Sequence, residues 1–417
     1  LPALLRSKKM IVMGDRRQFG NVKTANASKA LNQAYFSKVR EEFSGTVAHG
    51  DIALKKRCEV FNITNSVMDF FEMTSNFSIQ LRKHFRGYPE MISFSSKYFY
   101  DATLQTLKIR GKPISDVIEF IEVSDQERIE VVKNSNRQEA NFIVSELVKL
   151  IEQDEPPSVA IITPFREQQR VISHLVTTHE RHADFAEKLK IAVFTFDSCQ
   201  GEERDFIYYS MVASRQVDQL NYIFPLDLEN VTEDVIDGKL KFQRMNVGFS
   251  RGKEKLIFVL SKPVEEFKGG IGQALRHYKE KLLSSLATPT ADQVDPSSPM
   301  EAELLGWINA TSFVSANSGR LEIIPQFKIG EYLKALDNSY SHPDYKVDFL
   351  LRLKINSDVL QVIIEYDGFE FHFTNRSQVD STNWRSYLTP GDIERECILE
   401  SYGYKMLRVN RFNIGSD

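Results

Sequence analysis

Val159-Ala160-Ile161-Ile162 contains no polar residue, and three later runs repeat the pattern: Ala192-Val193-Phe194, Phe206-Ile207-Tyr208-Tyr209 and Leu256-Ile257-Phe258-Val259-Leu260. Segments of helical patterning lie between them. A strand wet on one face alternates apolar with polar residues, whereas a strand covered on both faces reads as a continuous apolar run. Apolar strands separated by helices therefore predict a parallel α/β sheet with helices on both faces. A similar run, Met10-Ile11-Val12-Met13, follows a helix-like stretch from Leu1 to Lys9 and predicts one more buried strand.

Downstream the composition changes. Ala287 to Pro299 (ATPTADQVDPSSP) is rich in Pro, Thr, Ser and Asp and poor in apolar residues, which reads as a linker. After it the expected order is helix (Met300 to Ile308), strands (Tyr345 to Leu353, Val359 to Tyr366), helix (Ile393 to Tyr402) and strand (Lys405 to Asn410), a small mixed α/β domain. At 417 residues the chain has room for two or three domains of ~150 residues. It has no initiator Met and opens straight into patterned sequence, which reads as part of a longer protein whose upstream portion is a partner of this one.

Composition excludes several classes. Hydrophobic residues are 42% and charged residues 26%, ordinary for a globular chain and wrong for a disordered or collagenous one. No apolar run approaches ~18 residues, so no membrane partner is expected. No basic segment leads into an apolar signal core. The three cysteines, Cys58, Cys199 and Cys397, are far apart and form no CxxC. That argues against a thiolate zinc site and fits a reducing, cytoplasmic location. The net charge of −4 excludes a bulk polycation, so any nucleic acid must bind in a local groove. From Asp295 onward there are 12 Lys+Arg against 18 Asp+Glu, an acidic last module.

Two constellations carry chemistry. The first runs through Gly14-Asp15-Arg16-Arg17-Gln18, Leu81-Arg-Lys-His-Phe-Arg86, Ile162-Thr-Pro-Phe165, Thr195-Phe-Asp-Ser-Cys-Gln-Gly-Glu-Glu-Arg-Asp205 and Arg244-Met-Asn-Val-Gly-Phe-Ser-Arg251. In this order they resemble motifs III to VI of superfamily 1 helicases, closest to the branch of the nonsense-decay helicases, over roughly residues 1 to 265. The resemblance implies the tail of a first RecA-like lobe at residues 1–40 and a second RecA-like lobe at 41–286. Hydrolysing ATP places charge on the γ-phosphate, and an arginine from the opposing lobe meets it. Arg251 and Arg86 are the arginines implied. Gln18 would couple the phosphate to the lobe interface, and Glu203 would bind ribose or an adjacent arginine. Single-stranded DNA would cross the top of the lobe. Thr163, Pro164, Thr195 and Ser198 are candidates there, because short hydroxyls and amides grip phosphates without reading bases. Phe165 is weighed as a stacking residue against a place in the core. No GxxxxGK[ST] occurs among the 417 residues, so ATP with Mg²⁺ is expected to bind only with a lobe outside them.

The second constellation lies after the linker at 287–298. Asp348 interrupts the apolar strand Tyr345 to Leu351. Glu365 and Asp367 lie two apart in Val362-Ile-Ile-Glu-Tyr-Asp-Gly-Phe-Glu-Phe-His372 and so share a face. Carboxylates side by side in an apolar setting cost several kcal/mol unless a cation neutralises them. Oxygen ligands favour Mg²⁺ or Mn²⁺. About residues 297 to 413, over a last domain placed at 299–417, resemble the Vsr-like branch of PD-(D/E)XK endonucleases. The resemblance rests on the SPMEAEL helix start, the IIEYDGFEFH element and the DIERECILESYGYKMLRV ending. It implies Asp348 and Glu365 as metal ligands, Glu301 approaching from the helix, and a phosphodiester of DNA, duplex included, as substrate. Asp367 stands where a generic member has Lys, which leaves His372 as the base or water-positioner. A stretch between Glu331 and Pro343 looks inserted.

The leading expectation is therefore a helicase–nuclease, as in large bacterial defence-type helicases, serving phage defence or DNA repair. Two others stay open: a degenerate nuclease fold that only grips nucleic acid, and an RNA helicase with an accessory domain.

Overall fold

The computed structural model describes residues 9–19, 77–124, 133–229, 236–356 and 358–414, with isolated positions between 33 and 75. Most of the expected first-lobe tail lies outside the described residues. The chain divides into two compact units, residues 1–107 with 119–277, and residues 108–118 with 278–417.

In the first unit two short parallel strands, β1 (Lys83–His84) and β2 (Gln105–Thr106), flank helix α1 (Pro89–Phe99). The main sheet holds β3 (Ile118–Glu122), β4 (Val159–Thr163), β5 (Ala192–Thr195), β6 (Arg204–Ser210) and β7 (Gly252–Leu260) in the order β3-β7-β6-β4-β5. β4, β5, β6 and β7 pair in parallel, and each quoted apolar run lies in one of them. Continuous apolarity follows from the two covered faces. Ile161, Tyr208, Ile257 and Val259 pack with helices α2 (Arg137–Leu150) and α3 (Arg166–Thr178) through Ile143, Leu147, Ile172 and Val176. The intervening Tyr209 and Phe258 point the other way. They stack at 5.0 Å and meet Phe249 at the end of helix α5 (Ile236–Phe249), after the short helix α4 (His182–Glu187). Each such side chain contributes about 1.5–3 kcal/mol by burial. Helix α6 (Gly269–Leu286) follows β7.

The expected strand at Met10–Met13 does not form. Those residues are irregular, with Ile11 88% and Met13 86% exposed. An apolar run becomes a strand only beside a partner for its ladder, and no described strand pairs with this one.

The second unit begins its regular structure with helices α7 (Pro299–Ala310) and α8 (Ser312–Ala316). Its sheet contains β8 (Leu321–Phe327), β9 (Val347–Ile355), β10 (Asp358–Tyr366) and β11 (Lys405–Val409), ordered β11-β10-β9-β8. β8, β9 and β10 are antiparallel neighbours, and β11 lies parallel to β10. Helix α9 (Ile329–Leu336) follows β8, the short α10 (Phe369–His372) follows β10, and α11 (Pro390–Ser401) precedes β11. Alternation sorts β9 cleanly. Phe349, Leu351 and Leu353 face Leu304, Leu305 and Ile308 of α7, while Leu350 joins Ile363 of β10 against Ile398 and Leu399 of α11. Asp348 shares the parity of Leu350, and Glu365 that of Ile363, so both acids belong to the α11 side.

β8 and α9 fall outside the expected order of elements. β8 is an edge strand carrying Pro325 and Glu322, and Pro is tolerated at an edge. Glu322 is buried only because Arg110 meets it at 2.7 Å, with Arg352 at 3.7 Å. The supposed insertion is α9 and its exit turn, where Asp337 accepts from Ser339 and from the Tyr402 hydroxyl.

Candidate functional site

In the first unit the motif residues form two joined networks. Asp15 accepts from Arg17 N at 2.9 Å and Gln18 Nε2 at 2.8 Å, closing the Gly-Asp turn on itself. The Tyr100 hydroxyl donates to the same carboxylate at 2.5 Å, and Asn246 Nδ2 donates to Tyr100 and to Arg17 O, both at 2.9 Å. Gln18 is thus held inside its own turn, against α5.

The second network gathers the arginines. Arg86 Nε donates to Glu203 Oε2 at 2.7 Å and its NH1 to Ser250 O at 3.0 Å. Lys253 reaches the other oxygen of Glu203 at 2.8 Å. The hydrogen bonds from Lys253 and Arg86 hold the Glu203 carboxyl down at about 2. Arg251 is buried, donating to Val247 O at 2.6 Å and to Ser250 Oγ at 2.8 Å. Burial, and further the charge of Arg86, lower its pKa. Two guanidiniums are thus gathered at the amino ends of β6 and β7, Arg86 held by Glu203 and Arg251 by the end of α5. Neighbouring His84 is held neutral, pushed down to about 4 by burial and by Arg86.

The predicted nucleic-acid edge is drier than expected. Thr163 and Thr195 are paired at the ends of β4 and β5, but both are buried, as is Pro164. Only Ser198 is exposed, its Oγ accepting from Thr195 N at 3.0 Å. Phe165 is core. Sequence reasoning passed over Glu139, a fully buried carboxylate on α2. It accepts from Ser210 Oγ, Val212 N and Ser261 Oγ at 2.7, 2.8 and 2.8 Å, tying the carboxyl ends of β6 and β7 together.

In the second unit Asp348 and Glu365 lie on the α11 side of the sheet. Asp348 accepts from Tyr366 N at 2.8 Å, and burial raises its pKa. Glu365 is 4% exposed and accepts from Arg395 NH2 at 2.7 Å. Burial raises its carboxyl to about 8, with Arg395 pulling the other way and Asp348 adding to the rise. Glu301 of α7 accepts from Gln326 Nε2 at 2.5 Å, and burial followed by the charge of Asp348 raises it. Burial makes all three carboxyls reluctant to ionise, and the charge of Asp348 adds to this at Glu301 and Glu365, a setting that a divalent cation would relieve. Gln326 Oε1 and Asp367 Oδ2 are buried there without a partner, as further oxygen donors. Oxygen donors of this kind suit Mg²⁺ or Mn²⁺ by their chemistry, while the ligand atoms of these three carboxyls are not gathered within 4.8 Å of one another.

Asp367 belongs to an adjoining cluster. Arg408 NH1 donates to its Oδ1 at 2.5 Å, Arg408 Nε to Glu396 at 2.6 Å and Arg408 NH2 to Asp392 O at 3.0 Å. His372 Nδ1 lies 2.9 Å from Asp392 Oδ1 and 3.9 Å from Asp367 Oδ1. The Asp392 hydrogen bond raises the His372 pKa. The Thr389 hydroxyl donates to Asp392 Oδ2 at 2.5 Å. Asp392, Arg395 and Arg408 were absent from the predicted site, although the quoted DIER segment contains the first two.

Comparison with known proteins covers the first of these sites. Residues 63–262 match the family model described as an AAA domain. Several relatives are helicases by name. A Mycoplasma genitalium protein, "Uncharacterized ATP-dependent helicase MG140", is 26% identical over 280 residues, 64% of this chain and 22% of that protein. "ATP-dependent helicase NAM7" of Saccharomyces cerevisiae is 23% identical over 359 residues, 80% of this chain and 34% of that protein. "Regulator of nonsense transcripts 1" of Caenorhabditis elegans is 22% identical over 248 residues, covering 56% and 21%. The chain therefore contains a helicase-type part similar to the nonsense-decay helicases. It spans about a fifth to a third of the length of these relatives. No described helix is long and apolar enough to cross a membrane.

Proposed function

We propose that this chain carries the second motor lobe of an ATP-dependent superfamily 1 helicase together with a metal-dependent endodeoxyribonuclease of the Vsr-like PD-(D/E)XK type, serving phage defence or DNA repair in the cytoplasm. The observation that carries the nuclease half is the placement of Asp348 and Glu365 on one sheet face beside the His372–Asp392 pair, with the charge of Asp348 acting on both Glu365 and Glu301. In the motor half, Arg251 and Arg86 meet the γ-phosphate charge of ATP held by a lobe outside these residues. Glu203 holds Arg86 in place from the opposite side. Gln18 stiffens the turn against α5. Single-stranded DNA runs past Ser198, with Thr163, Pro164 and Thr195 shaping the strand ends beneath it.

In the nuclease half, Asp348 and Glu365 would hold Mg²⁺ or Mn²⁺, with Glu301 alongside. The ion supplies Lewis-acid polarisation of the scissile phosphate. Asp392 orients the imidazole of His372 through Nδ1, leaving Nε2 to hold or accept a proton from the attacking water. Arg408 holds Asp367 in position and opposes the burial that raises its pKa.

The test is cleavage of supercoiled plasmid and of single-stranded DNA by this chain with Mg²⁺, Mn²⁺ or EDTA, beside Asp348→Ala. Metal-dependent cutting that falls to background in the variant is the expected result; cutting unchanged in the variant refutes the assignment. The same preparation should show no ATPase above background, and measurable hydrolysis would contradict the need for an outside lobe. Arg395 on Glu365, and the Asp in the usual Lys position, favour one second reading, a nuclease fold that only grips nucleic acid. Calorimetry separates the two, because a pure grip needs no metal. Comparing affinity for single-stranded DNA and RNA tests the RNA-helicase alternative.

A further inference from the structure

We propose that residues 108–118 are a strap that clamps β8 and β9 of the second unit, and that its docking controls how those strands present the candidate site. The docking stands by itself; its consequence for cutting rests on the nuclease reading.

The segment lies between β2 and β3 in the sequence, yet it packs as part of the second unit. Its alternate positions grip one carboxylate. Arg110 meets Glu322 of β8 with NH2 at 2.7 Å from Oε1 and NH1 at 3.0 Å from Oε2. Ile114 N donates to the same Oε2 at 3.1 Å. Between them the Lys112 carbonyl accepts from Arg110 NH1 at 2.7 Å and from Arg352 NH1 of β9 at 3.1 Å. Lys354 of β9 pairs with Asp116.

Apolar packing follows the same path. Ile114 and Val117 are fully buried, and Ile109 packs against the cluster of Phe327, Ile329 and Leu333. At Gly111 the strap passes so close to α9 that a Cβ would stand 2.0 Å from the Tyr332 ring. That approach needs a residue with no side chain.

The cluster makes docking cooperative. Glu322 and Arg352 are each 1% exposed. If the strap leaves, Glu322 loses Arg110 and Ile114 N and keeps Arg352 at 3.7 Å. Arg352 already has NH2 buried without a hydrogen-bond partner, and would lose the Lys112 carbonyl as well. Taking one partner from a buried ionic group strands the others, so the contacts form or break together.

The clamped strands also carry groups of the candidate site. Glu322 is the register partner of Arg352, and Gln326 lies on the same ladder between the Pro325–Phe349 and Phe327–Val347 pairs, level with Asp348. Gln326 in turn donates to Glu301. The strap therefore fixes the strands from which Asp348 and Gln326 project. Its ends continue into β2 and β3, so tension on either strand reaches Glu322 and Arg352 through the chain itself.

The experiment is hydrogen-exchange mass spectrometry on the full 417-residue chain, as wild type, Arg110→Met and Glu322→Gln. Wild type should exchange slowly across residues 109–118. Either variant should exchange there at least ~10-fold faster, with β8 and β9 following while β4 and β6 stay as in wild type. Arg110→Met is decisive, because it alters the strap and leaves β8 and β9 untouched. Where it unfolds the second unit outright, Asp116→Asn removes the partly exposed pair with Lys354 alone and should give a smaller rise in the same places; no rise there overturns the inference. So does fast exchange of the strap in wild type, or a freed strap over β8 and β9 that exchange as before. Plasmid cutting by Arg110→Met should fall at least ~10-fold; an unchanged rate overturns control of the site and leaves the nuclease reading intact. The expected exchange pattern in a chain that cuts nothing supports the strap and counts against the nuclease.

Discussion

Replacing Glu365 with Gln should stabilise the second unit in the absence of metal, by an amount that depends on pH in a defined way. Folded Glu365 holds its proton up to about 8, against an ordinary value of 4.5, because burial disfavours its charge. A group whose folded pKa is raised contributes stability that is complete below its unfolded pKa and is lost as pH rises through the folded value. That loss is about 5 kcal/mol at 1.36 kcal/mol per pH unit. Gln mimics the protonated carboxyl and cannot ionise. The attraction of Arg395, whose NH2 lies 2.7 Å from the carboxylate, is already contained in that raised value. Arg395 keeps its bond to Lys346 O and its place over the Tyr345 ring. The net expectation is about 4–5 kcal/mol of stabilisation at pH 9, shrinking to nearly nothing around pH 5, where the wild-type carboxyl is already protonated. Urea unfolding of wild type and variant in EDTA, at several pH values between these limits, measures the difference directly. Other titrating groups cancel in that difference. A variant no more stable than wild type at pH 9, or a gain that does not shrink on acidification, would refute the reasoning.

Two other substitutions follow from the packing. Arg408→Met strips the buried partner from Asp367, Glu396 and the Asp392 carbonyl, and leaving a buried carboxylate unpaired costs about 3–5 kcal/mol. Thermal melts should show that deficit at neutral pH and a smaller one in acid, since burial already raises the Asp367 pKa and protonation relieves the charge. A melt unchanged at neutral pH would contradict it. Gly248→Ala should destabilise the first unit by about 1–3 kcal/mol or more through overpacking. A Cβ there would stand 2.1 Å from the Phe196 ring, itself packed against Phe224 and Phe249; tolerance in the same melts would mean that the ring yields.

The parallel sheet was legible because a doubly covered strand has no polar positions to spare, so β4 to β7 announce themselves as apolar runs. Asp348 and Glu365 were legible for the converse reason: a carboxylate inside such a run needs an explanation. β8 was not, since Glu322 and Pro325 break its pattern, and only Arg110 and Arg352, distant in sequence, make that Glu admissible. Met10–Met13 shows the reverse failure, an apolar run with no described strand to pair with.

Sequence alone therefore determined the elements that local patterning and motif spacing control: the apolar strands, the linker composition, the order of the arginine and carboxylate motifs. Tertiary structure decided the partners. Pairing Glu365 with Arg408 across β10 and β11 places Arg408 beside Asp367, and the seating of α11 brings Asp392 to His372 and Arg395 to Glu365. It also buried Thr163 and Thr195 while leaving Ser198 in solvent. Charge pairing and burial act through space over a few ångströms, between residues tens of positions apart in the chain, and no local pattern records which of the many charged residues will meet.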